Sequence, residues 1–321
     1  MEPIEFSVLD IVRRCNCVGD FDWLVAAEGL YRFVVDGAVV GAVARSDVEQ
    51  LRAVSDAQAA PPFAVDDEQR QLLFAGWCDT REKRSAAMAA ALAVLRAESR
   101  WASLAKWRSE LYMVYRSAAS GDEVAFAVER AASYNFGVRT YGVHINGTTV
   151  LESGETRMWV ARRSLQKQTW PGYLDQIVAG GIGDGAGVWA SVLKECDEEG
   201  GIPPELAARA TCAGTIQYFT RSSLGLQPET QYVFDLELPR DFEPRPNDGE
   251  VASFHLWSLP EVMDNLRRDR FKPNCAVCIV DYMIRHGHLT PENEPDYLEI
   301  IDNIHVKLPF PAPRLAFSRH V

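Results

Sequence analysis

GGIGDGAGVWASVLKECDEEGGI, residues Gly180 to Ile202, runs a glycine-rich turn straight into a helical stretch that carries three closely spaced carboxylates. At about 100° of rotation per residue, Val188, Trp189, Val192, Leu193 and Cys196 fall on one arc. Glu195, Glu198 and Glu199 fall on the neighbouring one, since residues three and four apart share a helix face. One face reads as core and the next as purely anionic. Gly200-Gly201 supplies the left-handed residue on which such a helix ends. Like charges at this spacing repel, so the cluster calls for a compensating cation. Carboxylate oxygens suit Mg²⁺ or Mn²⁺, which keep several waters and bind substrate phosphates. A solvated acidic helix face is the plainer alternative, and the rest of the chain has to decide.

Around this stretch, strand-like segments follow one another closely: TYGVHING, RMWVARR and DQIVAGG before it, GTIQYFT, TQYVFDLEL and ASFHLWSL after it. They predict a mixed sheet flanked by helices. Three C-terminal helices are predicted from Leu259, Pro273 and Pro291, the last two with Pro where a helix start tolerates it. In the first third, Tyr31 to Ala44 reads as a hairpin around Asp36-Gly37. From Asp66 to Tyr115 the composition predicts long helices, including REKRSAAMAAALAVLRAES and WASLAKWRSELYMVY. Ser117 to Glu123 breaks that pattern and reads as a connection between two lobes.

The whole chain has 321 residues, 47% hydrophobic and 24% charged, which suits a globular protein of about two domains. Its 33 Lys plus Arg stand against 45 Asp plus Glu, a net charge of −12 that disfavours nucleic acid as a partner. Seven scattered cysteines, an odd number, fit a reducing compartment better than a disulfide framework. The apolar run Ser85 to Leu95 is too short to span a membrane, and MEPIEFSVLDIVRRC resembles neither a secretory signal nor a transit peptide. The expected location is cytoplasmic.

The Gly180–Ile202 stretch resembles the box of the Nudix hydrolases, G-x5-E-x7-R-E-U-x-E-E-x-G-U with U apolar. Gly180 matches the opening Gly, and Glu195, Cys196, Glu198, Glu199, Gly201 and Ile202 fall in register. Ala186 replaces the first Glu and Lys194 the Arg, two positions that form an ion pair in the family. Losing both spares the site an unpaired charge, because replacing both partners of a buried pair can be neutral whereas removing one costs about 3–5 kcal/mol. QTWPGYLDQIVAGGI, AGTIQYF, LQPETQYVFDLELP, PNDGEVASFHLWSL and FKPNCAVCIVDYMIRHGHLTPENEPDY extend the resemblance to a two-domain subgroup related to the Nudix half of fungal thiamine pyrophosphokinases, with plant relatives.

That resemblance implies an α+β protein: a C-terminal α/β/α sandwich with a mixed sheet over 131–321, preceded by a smaller α+β domain over 1–130. It implies Mg²⁺- or Mn²⁺-dependent cleavage of thiamine diphosphate, or its oxidised or damaged analogues, to the monophosphate plus phosphate. Glu195, Glu198 and Glu199 are then metal ligands, with the carbonyl near Gly180 as a further oxygen. Glu250 takes the place where relatives carry another metal-binding or basic Glu; its alternative is an exposed neighbour of an Asp248-Gly249 turn. The partner is a small-molecule diphosphate, with no membrane or nucleic acid, and a homodimer remains open. Other nucleoside diphosphate derivatives, such as ADP-ribose or a nucleotide sugar, are the alternative substrates, and a non-hydrolytic binding protein the alternative role.

Arg162 and Arg163 are candidate phosphate contacts, since a guanidinium fork fits phosphate oxygens; strand-end solubility explains them equally well. Trp170 and Tyr218 are candidate stacking partners for a heteroaromatic ring, core packing being the alternative, and Lys272 is a candidate substrate group. Cys275-x2-Cys278 with His286 and His288 could suggest Zn²⁺, but one CxxC in an apolar helix reads better as buried thiols.

Overall fold

The structure, a computed structural model, describes residues 5–116, 124–247 and 249–313; the connection expected at Ser117–Glu123 lies outside the described residues, as does Asp248. The N-terminal part comprises α1 (Val8–Cys15), α2 (Phe21–Glu28), β1 (Tyr31–Val35), β2 (Ala38–Val43), α3 (Arg45–Asp56), β3 (Phe63–Asp66), β4 (Gln71–Phe74), α4 (Arg81–Ala97), β5 (Leu111–Tyr115), β6 (Val124–Glu129) and α5 (Ser133–Phe136). β1 and β2 form the expected hairpin, with Asp36 and Gly37 at φ 50 and 79, the left-handed pair that a two-residue hairpin turn requires. These strands join β4 and β3 in a sheet ordered β2-β1-β4-β3. Met88, Ala91, Leu92 and Leu95 of α4 share one core with Phe33, Phe126 and Phe136.

Only the first of the two expected long helices forms. WASLAKWRSELYMVY is instead a 3-10 turn, Ala102–Lys106, followed by β5. Ser109, at φ 58, breaks the path. Beyond it the residues alternate, with Tyr112 and Val114 buried and Leu111 exposed, so a period of two overrides a helix-rich composition.

The C-terminal part comprises β7 (Thr140–Val150), β8 (Thr156–Arg163), β9 (Leu174–Gln176), β10 (Val178–Gly181), α6 (Val188–Gly200), α7 (Pro204–Ala207), β11 (Thr211–Ser222), β12 (Gly225–Glu237), β13 (Val251–Ser258), α8 (Leu259–Arg267), α9 (Pro273–Arg285) and α10 (Tyr297–Ile304). The sheet is mixed and ordered β11-β12-β7-β8-β13, with β10 added to β7 and β9 to β8. β7 runs parallel to β12, and the remaining pairings are antiparallel.

Neighbouring residues along β12 show the two faces: Val233 packs with the C-terminal helices, and Phe234 with Val188, Val192 and Cys196 of α6. The result is an α/β/α sandwich beside a smaller α+β lobe. α10 begins at Tyr297 rather than Pro291, because the stretch Pro291–Asp296, with its second proline at Pro295, forms turns. α1 leaves its own lobe: Val8, Leu9, Ile11 and Val12 pack in the core of α8, α9 and α10.

Candidate functional site

α6 ends at the glycine its sequence announces. Its C-terminus closes on Gly201 at φ 58, where the Gly201 and Ile202 amides donate to the carbonyls of Asp197 (3.1 Å) and Cys196 (2.9 Å). With Val188, Val192 and Cys196 facing the sheet, the next helix face lies against β10. Glu199, 7% exposed, accepts from the Ala179 amide at 2.8 Å. Glu195 lies flat against Gly180, where a Cβ would overlap its carboxyl carbon. Glu198 faces outward, its side chain 47% exposed, and bonds Lys194 at 2.7 Å; Lys194 also reaches Glu195 at 3.1 Å.

These carboxylates stand on the wall of a cavity of about 600 Å³ between the two lobes. Gly180, Glu195, Glu198, Glu199, Glu250, Arg163, Trp170, Tyr218 and Lys272, all singled out from sequence, line it. Arg162 does not: side chains alternate along a strand, and its guanidinium turns to the Gly172 carbonyl at 3.0 Å. Of the site residues expected from sequence, Arg162 is the one that does not line this cavity. Arg163 reaches the wall with its fork engaged, pairing with Asp175 at 2.6 Å and donating to the carbonyls of Trp170 and Thr169 at 3.1 Å each.

Tyr218 is buried, and its hydroxyl is tied to Glu229 and Gln231. Trp170 is 37% exposed at the rim, edge-on to Tyr173. Glu250 is ion-paired with Lys167. Lys272, immediately before α9, makes no side-chain hydrogen bond or ion pair among the described residues.

Sequence reasoning missed several lining residues. Lys167, His144 and Asn274 belong to the sandwich, whereas Lys106, Arg108, Glu110, Tyr112, Arg130 and Tyr134 come from the other lobe, in and beyond the segment expected to be helical. No motif marks them; only the folded chain brings them to the wall.

The electrostatics of the wall follow from burial. Burial, with Asp175 adding its charge, pushes Glu199 up to about 8. Glu195 is raised too, by burial that outweighs Lys194. Burial and the Arg163 guanidinium push Lys167 down to about 8. Asp175 resists its own burial, and Lys272 and Arg163 hold it down to about 2.

A family model described as NUDIX domain matches residues 144–275, and one described as Domain of unknown function (DUF4743) matches residues 7–140. The chain is 34% identical over 297 residues to "Nudix hydrolase 24, chloroplastic" of Arabidopsis thaliana, covering 91% of this chain and 76% of that one. The chain belongs to the Nudix hydrolase family. It is also 37% identical over 322 residues to "Uncharacterized protein YJR142W" of Saccharomyces cerevisiae, covering 95% and 92% of the two chains. Among solved structures it is similar to DR0079 of Deinococcus radiodurans, at 16% identity and a TM-score of 0.40 over 54% of this chain and 99% of that one.

In this Nudix hydrolase the two unusual box residues have other occupations. Ala186 packs half-buried against the core below α6, and Lys194 is left to bridge two box carboxylates. The loop between β10 and α6 is supported from the other lobe: the Asp184 amide donates to the Leu111 carbonyl at 2.7 Å, and Arg81 pairs with the Asp184 carboxylate at 2.6 Å. Tyr112 lies against Gly181 so closely that a side chain there would strike its hydroxyl.

Nudix hydrolases generally use divalent metal ions, and the donor set here fits one. Glu195 and Glu199 are hard oxygen donors that burial penalises when charged, a penalty a divalent cation would relieve. Among the described residues no three acidic, His or Cys side chains converge as a ready-made nest.

Proposed function

We propose that this Nudix hydrolase cleaves the diphosphate of a cofactor-sized molecule, thiamine diphosphate or an oxidised or damaged analogue, to the monophosphate plus phosphate. The observation that carries the reading is that α6 turns Glu195 and Glu199 inward, partly desolvated, onto the wall of a cavity of about 600 Å³. That volume lies within the range of small-molecule sites. Its remaining walls supply aromatic surface from Trp170, Tyr134 and Tyr218 and cationic groups that include Lys272.

Glu195, Glu199 and the more exposed Glu198 would hold Mg²⁺ or Mn²⁺, with the Gly180 backbone beside them. Such an ion neutralises phosphoryl oxygens that otherwise repel an attacking hydroxide. Glu250 stands at the cavity edge as the group to take a proton from water, with Lys167 across from it setting its orientation. Lys272 offers its ammonium to a phosphoryl group, and Arg163 keeps the Thr169–Trp170 segment in place as a wall for the organic part. The proposed division at 130/131 puts the box, Glu250 and Lys272 in one domain, and Lys106, Arg108, Glu110, Tyr112 and Arg130 of the facing wall in the other.

A phosphate-release assay with oxythiamine diphosphate and Mg²⁺ or Mn²⁺ tests this reading. The double variant Glu198→Gln/Glu199→Gln should lose about 10²-fold or more in kcat/KM. Unchanged turnover in that variant would sink the assignment. Release of AMP from ADP-ribose, with thiamine analogues inert, would move the substrate to the nucleoside diphosphate derivatives.

A further inference from the structure

Basic side chains from both lobes reach the cavity wall, and most are already engaged. Arg163, Lys167 and Lys194 have the partners described above. Arg14 pairs with Asp269, Arg130 with Glu110 at 2.7 Å, Arg221 with Glu28 at 2.5 Å, and Lys106 donates to the Gln168 carbonyl at 3.2 Å. Two cations on this wall have no side-chain hydrogen bond or ion pair among the described residues: Lys272, from the sandwich, and Arg108, from the other lobe. Among the described residues Arg108 is anchored through its backbone, whose amide donates to Glu129 at 2.9 Å.

Arg108 is half-buried beside a second guanidinium, that of Arg130, and its charge is disfavoured first by burial and then by that neighbour. A guanidinium drawn partly out of water without an ion pair is costly. The chain as a whole carries −12, so it holds no shortage of carboxylates that could have been placed here. Tyr134, on the same wall, lies within electrostatic reach of both Arg108 and Lys272. A planar fork and a point charge on one cavity wall, neither with a side-chain hydrogen bond or ion pair among the described residues, match the oxygens of a phosphoryl group.

We propose that Arg108 and Lys272 form a phosphoryl clamp, one half from each lobe. It takes the phosphoryl group that is not held at the Glu195 and Glu199 wall. The clamp makes the N-terminal lobe part of the active site, and it selects ligands with two adjacent anionic phosphoryl groups over those with one. It rests on the reading of the cavity as a diphosphate site.

Calorimetry on the EDTA-treated full chain with inorganic pyrophosphate tests the clamp without turnover. Wild type binds, Arg108→Gln and Lys272→Met each weaken binding by about 10-fold, and Arg108→Lys, which keeps the charge but not the fork, falls between. Melting curves verify that each variant is folded, and the two halves of the clamp provide independent variants. In steady state Arg108→Gln raises KM for the diphosphate about 10-fold and leaves kcat within about 3-fold. Pyrophosphate affinity equal to wild type in both Arg108→Gln and Lys272→Met, or no binding by wild type, overturns the clamp. A chain that binds pyrophosphate through Arg108 yet hydrolyses no diphosphate leaves the clamp standing and removes the proposed function instead.

Discussion

Gly180 lies against the Glu195 carboxyl group with no room for a Cβ between them. Gly180→Ala must therefore push Glu195 aside or part β10 from β7. We expect a loss of about 1–3 kcal/mol in stability, typical of overpacking, and a drop of at least about 10-fold in hydrolysis; wild-type kinetics in a folded Gly180→Ala would contradict the packing. The need for glycine at this position was legible as the opening of the box, but its physical cause, a carboxylate stacked on the strand, was not.

Arg162 and Arg163 show the opposite case. Adjacent residues in an extended strand face opposite sides, so only one of the pair can face the cavity, and the pairing of Arg163 with Asp175 is a long-range contact that no local pattern carries. Lys272 kept its place on the wall, while Arg108 was hidden in a segment whose composition reads as helix.

Among the elements, α6 was the most legible, because its core stripe, acidic face and terminating glycine all follow from one period. Gly201 sits at φ 58, and a Cβ there would stand 3.1 Å from the Arg245 carbonyl. Gly201→Ala should cost about 1–2 kcal/mol through the left-handed conformation alone. Thermal melting will record this as a Tm several degrees lower, and an unchanged Tm would show that α6 ends by some other device. β5 was illegible for the converse reason: WASLAKWRSE is built from helix-compatible residues, and only the alternation within LYMVY, paired with β6, turns it into a strand. The mistaken start of α10 at Pro291 has a similar root, since Pro291 suits a first helical turn while Pro295 prevents its continuation.

For the whole molecule, two measurements follow from groups buried between its layers. His144, buried beside Gln176 and Asn274, is pushed down to about 4, chiefly by burial and then by Lys272. Its folded value lies below the ordinary 6.5, so the unfolded chain takes the proton first. The stability this neutral imidazole confers is complete above about pH 6.5 and is lost as pH falls toward 4, by an amount on the order of 3 kcal/mol. Denaturant melts between pH 7 and pH 4.5 should show a steeper decline for wild type than for His144→Gln; parallel curves would refute the assignment.

The second measurement concerns metal. An ion at 100 times its Kd contributes about 2.7 kcal/mol, so millimolar Mn²⁺ should raise the Tm of wild type and leave that of Glu195→Gln/Glu199→Gln unmoved. An equal rise in both would place the ion elsewhere.

α1 lies at the start of the chain yet is built into the core formed by α8, α9 and α10. A scissile cut at 130/131 would thus sever the sandwich from one of its own staves. The fragment 131–321, expressed alone, would present a bare greasy trough where Val8, Leu9, Ile11 and Val12 belong, and would precipitate or recruit a substitute. Co-expression with the complementary fragment, or a circular permutant that carries residues 5–16 onto the far end, is the route by which the catalytic half could be studied in isolation.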